Sequence, residues 1–276
     1  MSVNPIKNLE NRFAATMNKL LRSMQKAVST AKKPREVIRM LKCYTQSRDY
    51  KDWCTKLAMK ITTQVNTIVN GTWREAARKA GRGSEIYKKI QQDLSSPLGG
   101  DFWLKIKENA ALIETFPADI STTLTQYIAR ESLNGRRSED ILDDLIKQFP
   151  GTAKSRLGLI ARTEVSKTQT ALIRSRAVSL GANWYIWRTS EDERVRGSHR
   201  KMSGVLVNWN DPPSPEILAR MKDCGKYHAG DIYNCRCYPE PIVNFDYVQF
   251  PAKVYYNGAI RTMSRKQFEK IAAQEV

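Results

Sequence analysis

Three of the five cysteines and both histidines of this 276-residue chain lie in its last third: His199, Cys224, His228, Cys235 and Cys237. Thiolate and imidazole are the donors zinc prefers in tetrahedral sites. Cys235 and Cys237 supply two such donors in a Cys-x-Cys pair, His228 a third and His199 a fourth, with Cys224 as the alternative fourth. The pair is not the usual zinc knuckle spacing of two to four residues, and no second cysteine pair accompanies it. The same residues also suit a hydrogen-bonded core, since free cysteine is often buried as a small hydrophobe. Both readings stand on the sequence alone.

Charged residues surround this cluster. Arg162 and Glu164 are two apart on a helical stretch, so they face different sides and do not pair with each other. The loop Asp192-Glu193-Arg194-Val195-Arg196-Gly197-Ser198-His199 offers partners: Arg194 or Arg196 for Glu164, and Asp192 for Arg162. A base, an acid and a nucleophile are available in Glu164, His199 and a cysteine, and Arg236 beside Cys235 would favour a thiolate. No P-loop, His-Glu-x-x-His or Gly-x-Ser-x-Gly motif is present, and Gly81-Arg82-Gly83 is too short for a phosphate cradle.

The elements that would carry these residues are mostly helices. Leu9, Phe13, Met17, Leu20, Leu21, Met24 and Val28 recur at helical spacing. Pro34 suits a first helical turn, and a second helix carries Val37, Met40 and Leu41. A third is expected from about Tyr50 to Ile68, then a hinge near Ser95–Asp101, then helices at Phe102–Phe116 and Ile120–Leu133. Ser138, followed by Glu139 and Asp140, reads as a helix start that Phe149-Pro150-Gly151 ends. The longest apolar periodicity runs from Ala153 to Leu180, where Gly181 stops it. Trp184–Trp187 and Val205–Val207 favour strand. From Asp211 the chain reads as irregular, until a helix capped by Ser264. The fold class expected is α+β, mainly α, with a long helix leading into a small C-terminal α+β module.

Charge narrows the partners. Lysine and arginine number 46 against 28 acidic residues, a net charge of +18. In the first forty residues Lys7, Arg12, Lys19, Arg22, Lys26, Lys32, Lys33, Arg35 and Arg39 meet only Glu10 and Glu36. A solvated face usually mixes signs, so a polyanion or an acidic protein is the expected partner, with Lys19, Arg22, Lys26, Lys32, Lys33 and Arg35 as contacts. No base-reading motif is legible. At 41% hydrophobic residues the chain is not a disordered one. No apolar run approaches a membrane span, and no signal peptide is expected at the N-terminus.

The fragments occur in a fixed order: Ala161-Arg162-Thr163-Glu164, Gly181 and Trp184, Asp192 to His199, Gly204, His228-Ala229-Gly230, and Cys235-Arg236-Cys237. In that order, over about residues 160–241, the chain resembles the phage Mu F-like head morphogenesis proteins, minor capsid proteins of tailed bacteriophages. Ala229 departs from the pattern, which has proline there. The resemblance implies that Arg162, Glu164, Asp192, Arg196, Gly204, Gly230 and Arg236 build the module, and that the protein is structural rather than an enzyme. It implies incorporation into the procapsid near the portal and residence inside the head. The implied partners are portal protein, scaffold and major capsid protein, and double-stranded DNA without sequence preference. The domains expected along the chain are a basic helical region (1–98), a helical connector (99–150), the head morphogenesis module (151–245) and a tail (246–276). The alternative is a metal- or cysteine-dependent hydrolase or nuclease packaged with the genome.

Overall fold

Apolar residues at spacings of three and four dictate the first helices. In the computed structural model, which describes residues 5–81, 84–96 and 99–273, α1 (Pro5–Val28) buries Leu9, Phe13, Met17, Leu21, Met24 and Val28 along one stripe. Pro34 opens α2 (Pro34–Gln46), where its missing N–H costs nothing. Helix α3 (Arg48–Lys79) runs past the expected end at Ile68, and α4 (Glu85–Ser95) starts from a Ser84 cap. Of the expected glycine break, Gly81 adopts a positive φ of 93°, whereas Arg82 and Gly83 lie outside the described residues. Pro97 and Leu98, within the expected hinge, lie outside them too.

Two expected helix boundaries are absent. Helix α5 (Gly100–Leu133) continues through Pro117, and α6 (Ser138–Leu180) continues through Pro150. The reason is that the buried stripe does not pause at either proline. Phe102, Ile106, Ala110, Ile113, Phe116, Ile120 and Leu124 keep helical spacing along α5. Ile141, Leu145, Phe149, Ala153, Leu157 and Ile160 do the same along α6. Packing of such a face outweighs local propensity.

A proline inside a helix leaves the carbonyl four residues earlier without its N–H donor. For Pro117 that carbonyl belongs to Ile113, and the buried Tyr50 hydroxyl donates to it at 2.6 Å. Burial pushes the Tyr50 phenol well above its usual range, so it stays a donor. Asn109 Nδ2 also donates to Thr62 Oγ1, at 3.1 Å, inside the same apolar layer.

The chain folds as two compact units, each assembled from two stretches: Met1–Gln64 with Phe102–Val165, and Val65–Asp101 with Ser166–Val276. The first is helical. The second carries a five-stranded mixed sheet, ordered β3-β1-β2-β4-β5. Its strands are β1 (Trp184–Arg188), β2 (Leu206–Asn208), β3 (Tyr238–Ile242), β4 (Ala252–Tyr256) and β5 (Ala259–Met263). Only β2 and β4 pair in parallel. The last three strands lie where the sequence reads as irregular. Short helices α7 (Gly197–Met202) and α8 (Pro215–Leu218) punctuate the loops, and α9 (Arg265–Ala272) starts at Ser264 through a full capping box. The fold is α+β and mainly α, as the periodicities imply.

Strand β1 is buried on both faces. Trp184 and Ile186 join Leu206, Ile242, Val254, Met263 and Phe268 of α9 in one apolar cluster. Tyr185 and Trp187 point to the opposite face, against the histidines. Lys79 and Arg188 both reach the Glu240 carboxylate, clamping the end of α3 to β3 and β1.

Tyr50→Phe is expected to leave the Ile113 carbonyl unpaired and to cost about 1–3 kcal/mol in denaturant unfolding. In a Pro117→Ala background, where residue 117 regains its N–H, the same change should cost markedly less. Equal costs in the two backgrounds would refute the assignment.

Candidate functional site

The loop after β1 and the loop before β3 meet at three points. Asp192 Oδ2 lies 3.6 Å from Arg236 Nη1, and its other oxygen accepts the Arg194 N–H. Arg196 donates to the Tyr233 carbonyl at 3.0 Å and lies over the Tyr233 ring. His199, on α7, places Nδ1 3.4 Å from both the Cys235 and the Cys237 sulfur. The Asp192–His199 motif therefore engages the Tyr233–Cys237 segment residue by residue. Asp192 pairs with Arg236, a partner not anticipated from the sequence. Arg162 and Glu164 are half-buried on α6 in the first unit, where the Arg162 guanidinium lies back over Gly158.

Behind His199 runs a chain of buried polar groups. The Tyr227 hydroxyl donates to Glu216, 2.8 and 2.6 Å from its two carboxylate oxygens, and Ser198 Oγ donates to the same group at 3.1 Å. With its one hydrogen so used, the Tyr227 oxygen accepts from His199 Nε2, 2.9 Å away. This fixes the ring and turns Nδ1 toward the sulfurs. Burial, then the Glu216 hydrogen bond, pushes the Tyr227 phenol far up. Trp187 packs edge-on against His199 and completes the enclosure.

The thiols are unequal. The contact between the two sulfurs lowers Cys235 and raises Cys237. The backbone N–H of Cys237 also donates to the Cys235 sulfur at 3.3 Å. His199, Cys235 and Cys237 offer three ligand atoms within 4.8 Å of one another. They are 2%, 4% and 3% exposed, too little for a bulky substrate to reach them directly.

His228 does not join this group. Its Nδ1 meets the Tyr185 hydroxyl at 3.2 Å, and its ring packs against Trp209 and Tyr185. Burial, with the Arg174 charge second, lowers its pKa to about 4. It is a neutral aromatic core residue in a separate pocket. Cys224 is exposed, its sulfur near the Lys222 carbonyl, and it too lies apart.

The two motif glycines have distinct tasks. Gly204 (φ +79°) turns the chain into β2, its N–H donating to the Trp187 carbonyl. Gly230 (φ +86°) lets the His-Ala-Gly turn press onto α6 and the Cys-x-Cys segment. A Cβ there would stand 2.6 Å from Thr170 Oγ1 and 2.7 Å from the Cys237 carbonyl oxygen. Thr170 Oγ1 donates to the Ala229 carbonyl at 2.6 Å, fixing the turn. Sequence reasoning missed Thr170, Tyr185, Ser198, Glu216 and Tyr227. Ser198 and Tyr227 each adjoin a motif histidine, which is a usable signal, whereas nothing near Glu216 marks it as buried.

Part of the chain that carries these residues matches a family model. Residues 118–239 match the model described as Phage Mu protein F like protein. Over these residues the chain is similar to Phage Mu protein F. The match reaches back into α5, well before the first motif, and leaves the basic N-terminal helices outside. An uncharacterized protein of Haemophilus influenzae is 27% identical over 191 residues, covering 66% of this chain. The chain spans 40% of that relative's length. No solved structure matches.

Two outcomes follow from the geometry of this Mu F-like site. Gly230→Ala should destabilise the protein by more than the roughly 1 kcal/mol of an ordinary glycine replacement, because the turn must retreat from Thr170 and Cys237. Thermal unfolding of Gly204→Ala beside it, where no atom crowds the added methyl, isolates the close approach. Equal shifts in melting would contradict it. For His228, the unfolded ring takes its proton near pH 6.5 and the folded ring only near 4. Between these values the unfolded state binds more protons, so stability falls as pH drops, by on the order of 3 kcal/mol. His228→Gln should flatten that part of the pH–stability curve, and an unchanged slope would count against the burial assignment.

Proposed function

We propose that this chain is a minor head protein of a tailed bacteriophage, acting in head morphogenesis. The observation that carries the reading is the Mu F-like match over residues 118–239, with its motifs assembled into one packed site. A buried site built of paired motifs suits a rigid platform. The refinement we propose is that the protein enters the procapsid near the portal, stays in the virion, and contacts packaged double-stranded DNA.

Support for the DNA contact comes from the first helix. Arg12, Lys19, Arg22 and Lys26 are exposed and fall on one side of α1 by their spacing, opposite its buried stripe. Lys32, Lys33 and Arg35 are exposed at the α1–α2 turn. Packaged DNA presents phosphate at high density, and such a single-sign stripe binds it without reading sequence. The same stripe suits an acidic surface on a portal ring, so both contacts are tested together. Scaffold and major capsid protein are the further partners of an assembling procapsid. Among the described residues no helix is long and apolar enough to cross a membrane.

A second reading, a cysteine-dependent hydrolase or nuclease packaged with the genome, draws on one observation: His199 stands between a carboxylate–tyrosine pair and two thiols. The burial of those thiols weighs toward a structural role.

Reversing Lys19, Arg22 and Lys26 to glutamate should weaken binding to duplex DNA of any sequence. The slope of log affinity against log salt should fall by roughly 0.9 for each phosphate that the variant no longer neutralises. Capture by the cognate portal protein is measured on the same variant. A variant that keeps wild-type DNA affinity and portal capture would remove α1 from both interfaces. Virions that assemble normally without the protein would defeat the head-morphogenesis reading itself.

A further inference from the structure

The contact between His199 and the Cys-x-Cys pair is not explained by hydrogen bonding alone. An imidazole Nδ1 has one site in the ring plane, so it makes one good hydrogen bond. Here two sulfurs stand at the same 3.4 Å from it. Two sulfurs at one distance from a single nitrogen are what ligands of a shared ion look like. With zinc–sulfur bonds of about 2.3 Å and zinc–nitrogen bonds of about 2.0 Å, tetrahedral geometry sets sulfur and nitrogen about 3.5 Å apart.

Two further features point the same way. His199 Nε2 is anchored by Tyr227, itself anchored by Glu216, which is the carboxylate-backed support that metal-binding histidines receive. The Cys237 N–H donates to the Cys235 sulfur, a contact that stabilises a thiolate ligand. The donor set is also charge-balanced. Two thiolates and a neutral imidazole around a divalent zinc sum to zero, which suits a buried position.

We propose that His199, Cys235 and Cys237 bind one zinc ion, with a solvent molecule as fourth donor, and that this ion staples α7 to the Cys-Arg-Cys turn. On binding, the two thiols release their protons to solvent and the imidazole gives its Nδ1 lone pair. The staple closes loops of 36 and 38 residues. That stretch contains β2 and the four-residue α8 as its only regular elements beyond α7. Such a segment gains most from a cross-link, because its own backbone ladders are few. The ligand set is smaller than the sequence suggests, since His228 and Cys224 lie outside it. The inference stands apart from the head-protein reading, because a metal staple suits any function of the module.

The test uses the full chain, produced in zinc-supplemented medium and purified without chelator. Elemental mass spectrometry is expected to find one zinc per chain in the wild type and in Cys224→Ser, and none in the Cys235→Ser/Cys237→Ser variant. Zinc retained by the double variant, or missing from Cys224→Ser, overturns the site. Cobalt titration of metal-stripped wild type decides the matter if the double variant fails to fold. A thiolate-to-cobalt charge-transfer band saturating at one equivalent supports the site. Absence of that band refutes it.

Discussion

One buried carboxylate sets the arrangement around the Mu F-like site. Glu216 lies on a single-turn helix in a stretch with almost no regular structure. A charge buried there is costly unless donors surround it. Tyr227 and Ser198 supply them. Satisfying Glu216 therefore fixes Tyr227, Tyr227 fixes the His199 ring, and the ring decides where the two sulfurs sit. Nearby, the Asp223 carboxylate accepts from Ser214 and the Gly225 N–H, and Tyr227 N–H donates to the Pro213 carbonyl. The loop is held by directed polar contacts in place of a ladder.

The sheet makes that arrangement possible by serving two cores at once. Alternation along Trp184-Tyr185-Ile186-Trp187 sends the first and third side chains to the α9 cluster and the second and fourth to the histidines. Each face of the strand has its own cover. Both histidines meet that second face, yet in different company. His199 meets sulfur and a tyrosine–carboxylate relay, whereas His228 meets a tyrosine and a tryptophan. Residues of one type, 29 positions apart in sequence, end in opposite chemical roles.

Much of this was legible in the residues. The buried stripes of α1 and α2, the Ser138 start of α6, the Gly181 stop, the Ser264 cap and β1 all follow from local pattern. The continuity of α5 and α6 was not legible, because a proline reads as a boundary until its orphan carbonyl finds a donor. For α5 that donor is Tyr50, 63 residues away from Ile113. Strands β3 to β5 were hidden because their own sequences alternate weakly: Tyr238-Pro239-Glu240-Pro241 carries two prolines and sits at the sheet edge. Within the site, the pairing of His199 with Cys235 and Cys237 was legible from residue type, and the exclusion of His228 was not. A lone imidazole looks the same in sequence whether its neighbours are sulfurs or aromatic rings.

The two compact units interleave along the chain, and α3 and α6 each contribute residues to both. No single cut separates them. A fragment starting near residue 150 would keep every motif but forfeit the end of α3, whose Lys79 grips Glu240, and α4, whose Asp93 holds Arg176 and Ser179 of α6. In evolutionary terms such a protein resists being shuffled: neither unit can be lent to another gene as one uninterrupted exon-like block.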